Sequence, residues 1–177
     1  MYKSIPEVFF EVVEKHPDKP ALLYKKEGVY FPITYKELSE KVEIFSARLS
    51  DLGIVKGDKV AILSENRPEW VISDLSIMAT GAVVVPLHTT FNPEAVCGVL
   101  NHSEAKILIV SNGDLLHKAL SDQQKIEHVK KIILLENLTV TQKKILDNRV
   151  VGWNDLSSIT PKNKFKKKTL NKNNSSR

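Results

Sequence analysis

Cys97 is the only cysteine in 177 residues, so an internal disulfide is impossible and a metal site built from several thiolates is excluded. No apolar run approaches the roughly 18 residues that would read as a membrane span. The opening Met1-Tyr2-Lys3-Ser4-Ile5-Pro6-Glu7 has one lysine with no apolar block behind it, so a secretory leader is not expected. These absences together point to a protein made and kept in the cytoplasm.

Glycine is scarce and scattered. The seven glycines stand at 28, 53, 57, 81, 98, 113 and 152, no two within three residues of each other. A loop that wraps phosphates needs close backbone approach and converging N–H groups, hence clustered glycines with Ser or Thr. Neither a G-x-G-x-x-G run nor a Gly-Lys-Ser/Thr triplet is present. The five histidines, at 16, 88, 102, 117 and 128, never pair at the spacing that sets two metal ligands on one helix face. No G-x-S-x-G elbow exists to raise a nucleophilic serine. His88 follows an apolar run and reads as a hydrogen-bonded histidine at a strand end. Cys97 lies among Val96, Val99 and Leu100 and reads as a small core residue, and Trp70 as a core or interface anchor. The sequence therefore assigns no catalytic, cofactor-binding or metal-ligating residue.

Positive charge is in excess only at one end. The formal net charge is +5, yet Lys162 to Arg177 holds six Lys, one Arg and no acid. Without those seven, 21 acidic residues face 19 basic ones. The body shows no basic excess to suggest a nucleic-acid or anionic-lipid surface; only the tail does. The tail from Pro161 is Lys/Asn/Ser-rich with too little apolar area to order itself, so it is expected to be disordered.

What is present alternates. Ser4 and Glu7 have capping-box spacing ahead of a helix from Ile5 to about Lys15. Ala21–Tyr24 and Val29–Phe31 read as a hairpin around a Lys25–Gly28 turn. Thr34 and Glu37 repeat the capping pattern, and Leu38, Val42, Phe45, Leu49 and Leu52 form one apolar stripe that Gly53 closes. Lys59–Leu63, Ala82–Leu87, Ile107–Val110 and Lys131–Leu135 are short apolar runs, the first three expected as central strands. Between them the pattern predicts helices from Pro68 to about Thr80 with Asn66 at its entry, from Asn92-Pro93-Glu94 onward, and from Asp114 to about Asp122. Such alternation predicts an α/β fold with a mainly parallel sheet flanked by helices. Residues 140–156 could add a short helix and a strand. Residues 1–160 form the body and 161–177 the tail. The runs Ile107–Val110 and Ile132–Leu135 are apolar throughout and want cover on both faces. With few helices available, the sheet is expected to leave an apolar face open.

With those elements placed, the stretch from Ile33 to Asn112 resembles the long-chain fatty-acid–CoA ligases of the adenylate-forming superfamily. Four segments follow in that family's order: Ile33-Thr34-Tyr35-Lys36-Glu37-Leu38, then Gly57 through Ser64-Glu65-Asn66-Arg67-Pro68-Glu69-Trp70, then Ala79-Thr80-Gly81-Ala82-Val83-Val84-Val85-Pro86-Leu87, and Leu100 through Lys106. Val151-Gly152-Trp153-Asn154-Asp155-Leu156 resembles the stretch before the family's first nucleotide motif. The resemblance implies the amino-terminal subdomain of an AMP-binding synthetase, an enzyme that joins a fatty-acid carboxylate to AMP and then to CoA. ATP, Mg²⁺ and CoA are implied for the intact enzyme and none for this chain, because the family's phosphate loop and catalytic lysine lie downstream of the matching region.

Two accounts fit: a truncated reading frame, inactive alone, or a genuine short protein keeping the subdomain as a non-catalytic binding module. The expected partners are the remainder of a synthetase chain or a second copy meeting an exposed apolar face. The basic tail leaves a third reading, a nucleic-acid or membrane-surface binder, with peripheral membrane contact.

Overall fold

The computed structural model describes residues 3–121, 126–137 and 148–157. The tail from Pro161, the residue Asp122 and residues 140–147 of the weakly signalled stretch lie outside them. Helix α1 spans Ile5–Lys15 and α2 spans Tyr35–Asp51, each opened by the reciprocal cap its sequence predicts. The Thr34 hydroxyl accepts from the Glu37 N–H at 3.2 Å, while the Glu37 carboxylate accepts from the Thr34 N–H at 2.8 Å. Gly53 then turns the chain at φ +87°.

Between these helices, β1 (Pro20–Lys26) and β2 (Val29–Thr34) pair antiparallel as a separate two-stranded sheet. The turn is shorter than its composition suggests. Glu27 and Gly28 take φ of 50° and 84°, two successive left-handed residues that match the strand twist. Lys25 and Lys26 are thereby released into the ladder, opposite Tyr30 and Val29.

The main sheet has five strands, all parallel: β3 (Lys59–Leu63), β4 (Val83–Leu87), β5 (Ile107–Val110), β6 (Lys131–Leu134) and β7 (Val150–Gly152), in the order β4-β3-β5-β6-β7. β4 is an edge strand, not the central one its apolar run suggests, and Val83 is 49% exposed. An apolar run does not say how many neighbours its strand has, and Pro86 lacks the N–H a two-sided ladder would use.

The other helices among the described residues are α3 (Pro68–Ala79), α4 (Pro93–Ser103), α5 (Gly113–Ala119) and α6 (Trp153–Ser157). Asn92 caps α4 by accepting the Ala95 N–H at 2.9 Å. At α3 the cap position belongs to Arg67, without a side-chain bond, and not to Asn66. α5 stops short of the predicted end near Asp122.

Alternation along the central strands sends side chains to two covered faces. Val60, Ile62, Ile107, Ile109 and Ile133 join Phe10 of α1, the apolar stripe of α2 and α3 in one cluster. Ala61, Leu63, Leu108, Val110, Ile132 and Leu134 meet α4 and α5 in the other. Every residue of β5 is buried, as are Ile132, Ile133 and Leu134 of β6. The chain itself therefore covers both faces of these strands, correcting the expectation that they would be left open. Two amino-terminal helices suffice because α1 and α2 pack side by side on the same face as α3.

Candidate functional site

The path of the chain through the sheet reverses once. From β3 it steps to β4 on one side, then returns across β3 to β5 and continues outward to β7. Parallel sheets hold ligands at such a switch point, outside the carboxyl ends of the strands. Three strands end there in polar residues: Ser64-Glu65-Asn66-Arg67 after β3, Ser111-Asn112-Gly113 after β5, and Glu136 just beyond β6.

These residues engage one another. The Ser111 hydroxyl donates to Glu65 Oε2, and Asn112 Nδ2 donates to Glu65 Oε1 at 2.9 Å. The Ser111 hydrogen bond is the main cause holding the Glu65 carboxyl below the usual glutamate range. Arg67 Nε donates to Glu69 Oε2 at 2.8 Å, and its Nη1 reaches the Ser111 carbonyl at 3.4 Å. Glu136 Oε2 accepts the Gly113 N–H at 3.1 Å, while Asn112 Oδ1 accepts the Leu115 N–H at 2.9 Å. The first turn of α5, where a phosphate could otherwise meet backbone N–H groups, is thus already occupied by a carboxylate and an amide.

Glu65, Asn66 and Arg67 also form one wall of an open cleft of about 1110 Å³, with Leu22 and Ile33 of the hairpin and Trp153 of α6 on the others. Trp153 is fixed by Phe45, their rings 4.5 Å apart. Glu37, a third acid on the cleft, is held low chiefly by the Thr34 backbone N–H of the cap.

The residues weighed individually from the sequence lie elsewhere. His88 is exposed, its ring 5.5 Å edge-on to Phe91. Cys97 is fully buried in the α4 side of the core, where burial pushes its thiol up and away from reactivity. Trp70 is half-buried against the α2 side. Sequence reasoning did not bring Glu65, Ser111 and Glu136 together, although each lies within two residues of the end of an apolar strand. That position was the available signal.

At the switch point a triphosphate would meet Glu65, Glu69 and Glu136, onto which Asn112, Arg67 and the Gly113 N–H are already turned, while Lys25, Lys26 and Lys41 also line the cleft. No cluster of three His, Cys, Asp or Glu side chains suited to a metal ion occurs among the described residues. No helix among them is long and apolar enough to cross a membrane.

A parallel α/β sheet with a switch-point crevice defines a nucleotide- or cofactor-type scaffold. The chain belongs to the AMP-binding enzyme family, whose profile matches residues 9–173. It is 36% identical over 132 residues to a long-chain-fatty-acid–CoA ligase of Gallus gallus, covering 74% of this chain and 17% of that one. It is 40% identical over 96 residues to fatty acyl-CoA synthetase A of Dictyostelium discoideum, covering 54% and 14%. Among solved structures, the amino-terminal subdomain of Klebsiella oxytoca NpsA matches with TM-score 0.65 and 26% identity, over 93% of this chain and 35% of that one. Acetoacetyl-CoA synthetase from Streptomyces lividans has the same fold over 91% of this chain and 26% of its own, with TM-score 0.76 and 22% identity. The chain thus spans about a sixth of the length of the first of these relatives.

Proposed function

We propose that this chain is the amino-terminal scaffold of an AMP-forming acyl-CoA ligase for long-chain fatty acids, and that alone it neither binds ATP nor makes a thioester. In the intact enzyme a fatty-acid carboxylate would be joined to AMP with loss of pyrophosphate, and the CoA thiol would then displace AMP. Groups for ATP, Mg²⁺ and CoA would come from further synthetase sequence, supplied by the same or another chain in the cytoplasm. The observation that supports this reading is the switch point, where Glu65, Glu69 and Glu136 take up hydrogen bonds from Ser111, Asn112, Arg67 and Gly113 within a fold of this family.

Two experiments test it. Calorimetric titration of the full chain with Mg-ATP should give no saturable heat, and a micromolar affinity would overturn the claim of inactivity. Replacing the matching segment of the chicken ligase with this chain should give an enzyme that still activates long-chain fatty acids. A folded chimera without activity would sink the scaffold reading.

The cover that α1 to α5 give to both sheet faces favours a second reading, a self-standing binding module. A monodisperse monomer with one sharp unfolding transition and no hydrophobic-dye binding would support that module. Self-association or dye binding would return the balance to a scaffold that needs its partner.

A further inference from the structure

The hairpin carries the largest concentration of exposed apolar side chains among the described residues. Nine large hydrophobic residues are exposed, and four lie within it: Leu23 at 64%, Val29 at 56%, Tyr30 at 64% and Phe31 at 42%. The other five are spread over α1, α2, the loop before β3 and β4. Every position from Lys25 to Pro32 is exposed. Only the base of the hairpin, at Ala21, Leu22 and Ile33, packs on the core.

The register decides what kind of surface this is. Leu23 opposite Pro32 and Lys25 opposite Tyr30 share one face, while Tyr24 opposite Phe31 and Lys26 opposite Val29 share the other. Tyr24 and Phe31 stack at 5.7 Å, and Lys25 Nζ lies 5.7 Å from the centre of the Tyr30 ring. Apolar side chains therefore project from both faces of the distal half. A hairpin built to dock on a folded protein buries one face and keeps the other polar. Two apolar faces suit a fluid phase that closes around them.

Charge narrows the choice. Lys25 and Lys26 flank the tip with Glu27 as its single acid, and Lys19 and Lys36 stand at the base. Neither Lys25 nor Lys26 has an ion-pair partner among the described residues. Aromatic rings with polar edges and long lysines that lift their charge toward water are the side chains of a membrane interface.

We propose that the distal half of this hairpin, Leu23 to Pro32, is a membrane-surface wedge. It inserts Leu23, Val29, Tyr30 and Phe31 at the headgroup boundary of an anionic bilayer, while Lys25 and Lys26 meet the lipid phosphates and carboxylates. The inference rests on exposure, register and charge, and Leu23, Lys25, Lys26 and Tyr30 also line the open cleft described above.

The test is vesicle co-sedimentation of the full chain. Vesicles would be phosphatidylcholine alone, or equal parts phosphatidylcholine and phosphatidylserine, at low salt and at salt high enough to screen the lysine-rich terminal stretch. The chain should bind the mixed vesicles at both salts. Y30S/F31S should weaken binding at high salt by about tenfold or more, as expected from two aromatic side chains at ~25 cal/mol per Å² of apolar area. K25E/K26E should weaken binding to the mixed vesicles at low salt and leave binding to phosphatidylcholine alone unchanged. Both variants should keep the wild-type helical signal and thermal midpoint, since the replaced side chains are exposed. Equal binding by Y30S/F31S and wild type would overturn the proposal and assign the membrane contact to the terminal lysines. No binding by the wild type would overturn it too. So would loss of self-association in Y30S/F31S without any effect on vesicles, which would make the hairpin a protein contact.

Discussion

Lys106 Nζ lies 2.6 Å from Asp58 Oδ1, clamping the start of β5 to the turn that leads into β3. Asp58 also receives the Val55 N–H on its side chain at 3.0 Å, and its carbonyl accepts the Val83 N–H of β4 at 2.7 Å. One residue thus ties the entry of β3 to both of its neighbours. The Lys106 hydrogen bond, followed by that from Val55, holds the Asp58 carboxyl below its usual range.

This lowered value fixes a pH dependence. A carboxyl that is more acidic folded than unfolded adds stability above its unfolded range and loses it as pH falls through the folded value. Asp58→Asn should therefore cost about 1 kcal/mol near neutral pH, a modest figure because Lys106 is partly exposed to screening solvent. The difference from wild type should close as pH is lowered through the acid range. Thermal melts across that range check both the size and the sign.

Glu65→Ala should destabilise by roughly 1–2 kcal/mol, because it leaves the fully buried Ser111 without its acceptor. Glu65→Gln keeps a carbonyl acceptor and should cost less. Urea unfolding of the two variants side by side is the measurement. Equal losses would mean that the charge, not the acceptor, holds the crevice together.

Thr34→Ala removes the cap of α2, the longest helix, and should cost about 1 kcal/mol. Because Thr34 also ends β2, hydrogen exchange should quicken at the first amides of α2 and at the base of the hairpin together. Faster exchange confined to α2 would show that the two elements are not coupled.

Leu108→Ala should cost 2–5 kcal/mol by the ordinary cost of a buried cavity. Leu108 is fully buried in the second core between β5 and α4–α5. Chemical denaturation measures it. A loss below about 1 kcal/mol would mean this half of the core closes over the gap.

Local chemistry made much of the fold legible. The caps at Ser4, Thr34 and Asn92, the stripe on α2 and the parallel sheet follow from residues that act on near neighbours. Sheet position did not. β4 reads as apolar as β3, and only the pairing of strands far apart in sequence shows that one is an edge and the other a centre. Asn66 resembled a helix cap by spacing, but Pro68 fixes the first turn one residue later and Arg67 takes the place. The switch-point cluster was hidden for a related reason. Glu65 and Ser111 are 46 positions apart, and each alone is an unremarkable polar residue after a strand. The serines inside the α2–α3 contact were equally silent. Ser46 and Ser76 are buried there, each bonded to the Val42 carbonyl, at 2.7 and 3.1 Å.

The pairing order of the sheet also bears on how the chain assembles during synthesis. β4 pairs with β3, β5 returns to β3, β6 pairs with β5, and β7 with β6. Each strand after β3 therefore finds a partner already made when it leaves the ribosome. Only β3 must wait for a later strand before it has any partner. β3 acts as the template for both directions of growth, so a fault there would stall assembly on two sides, whereas a fault in β7 would affect only the last addition.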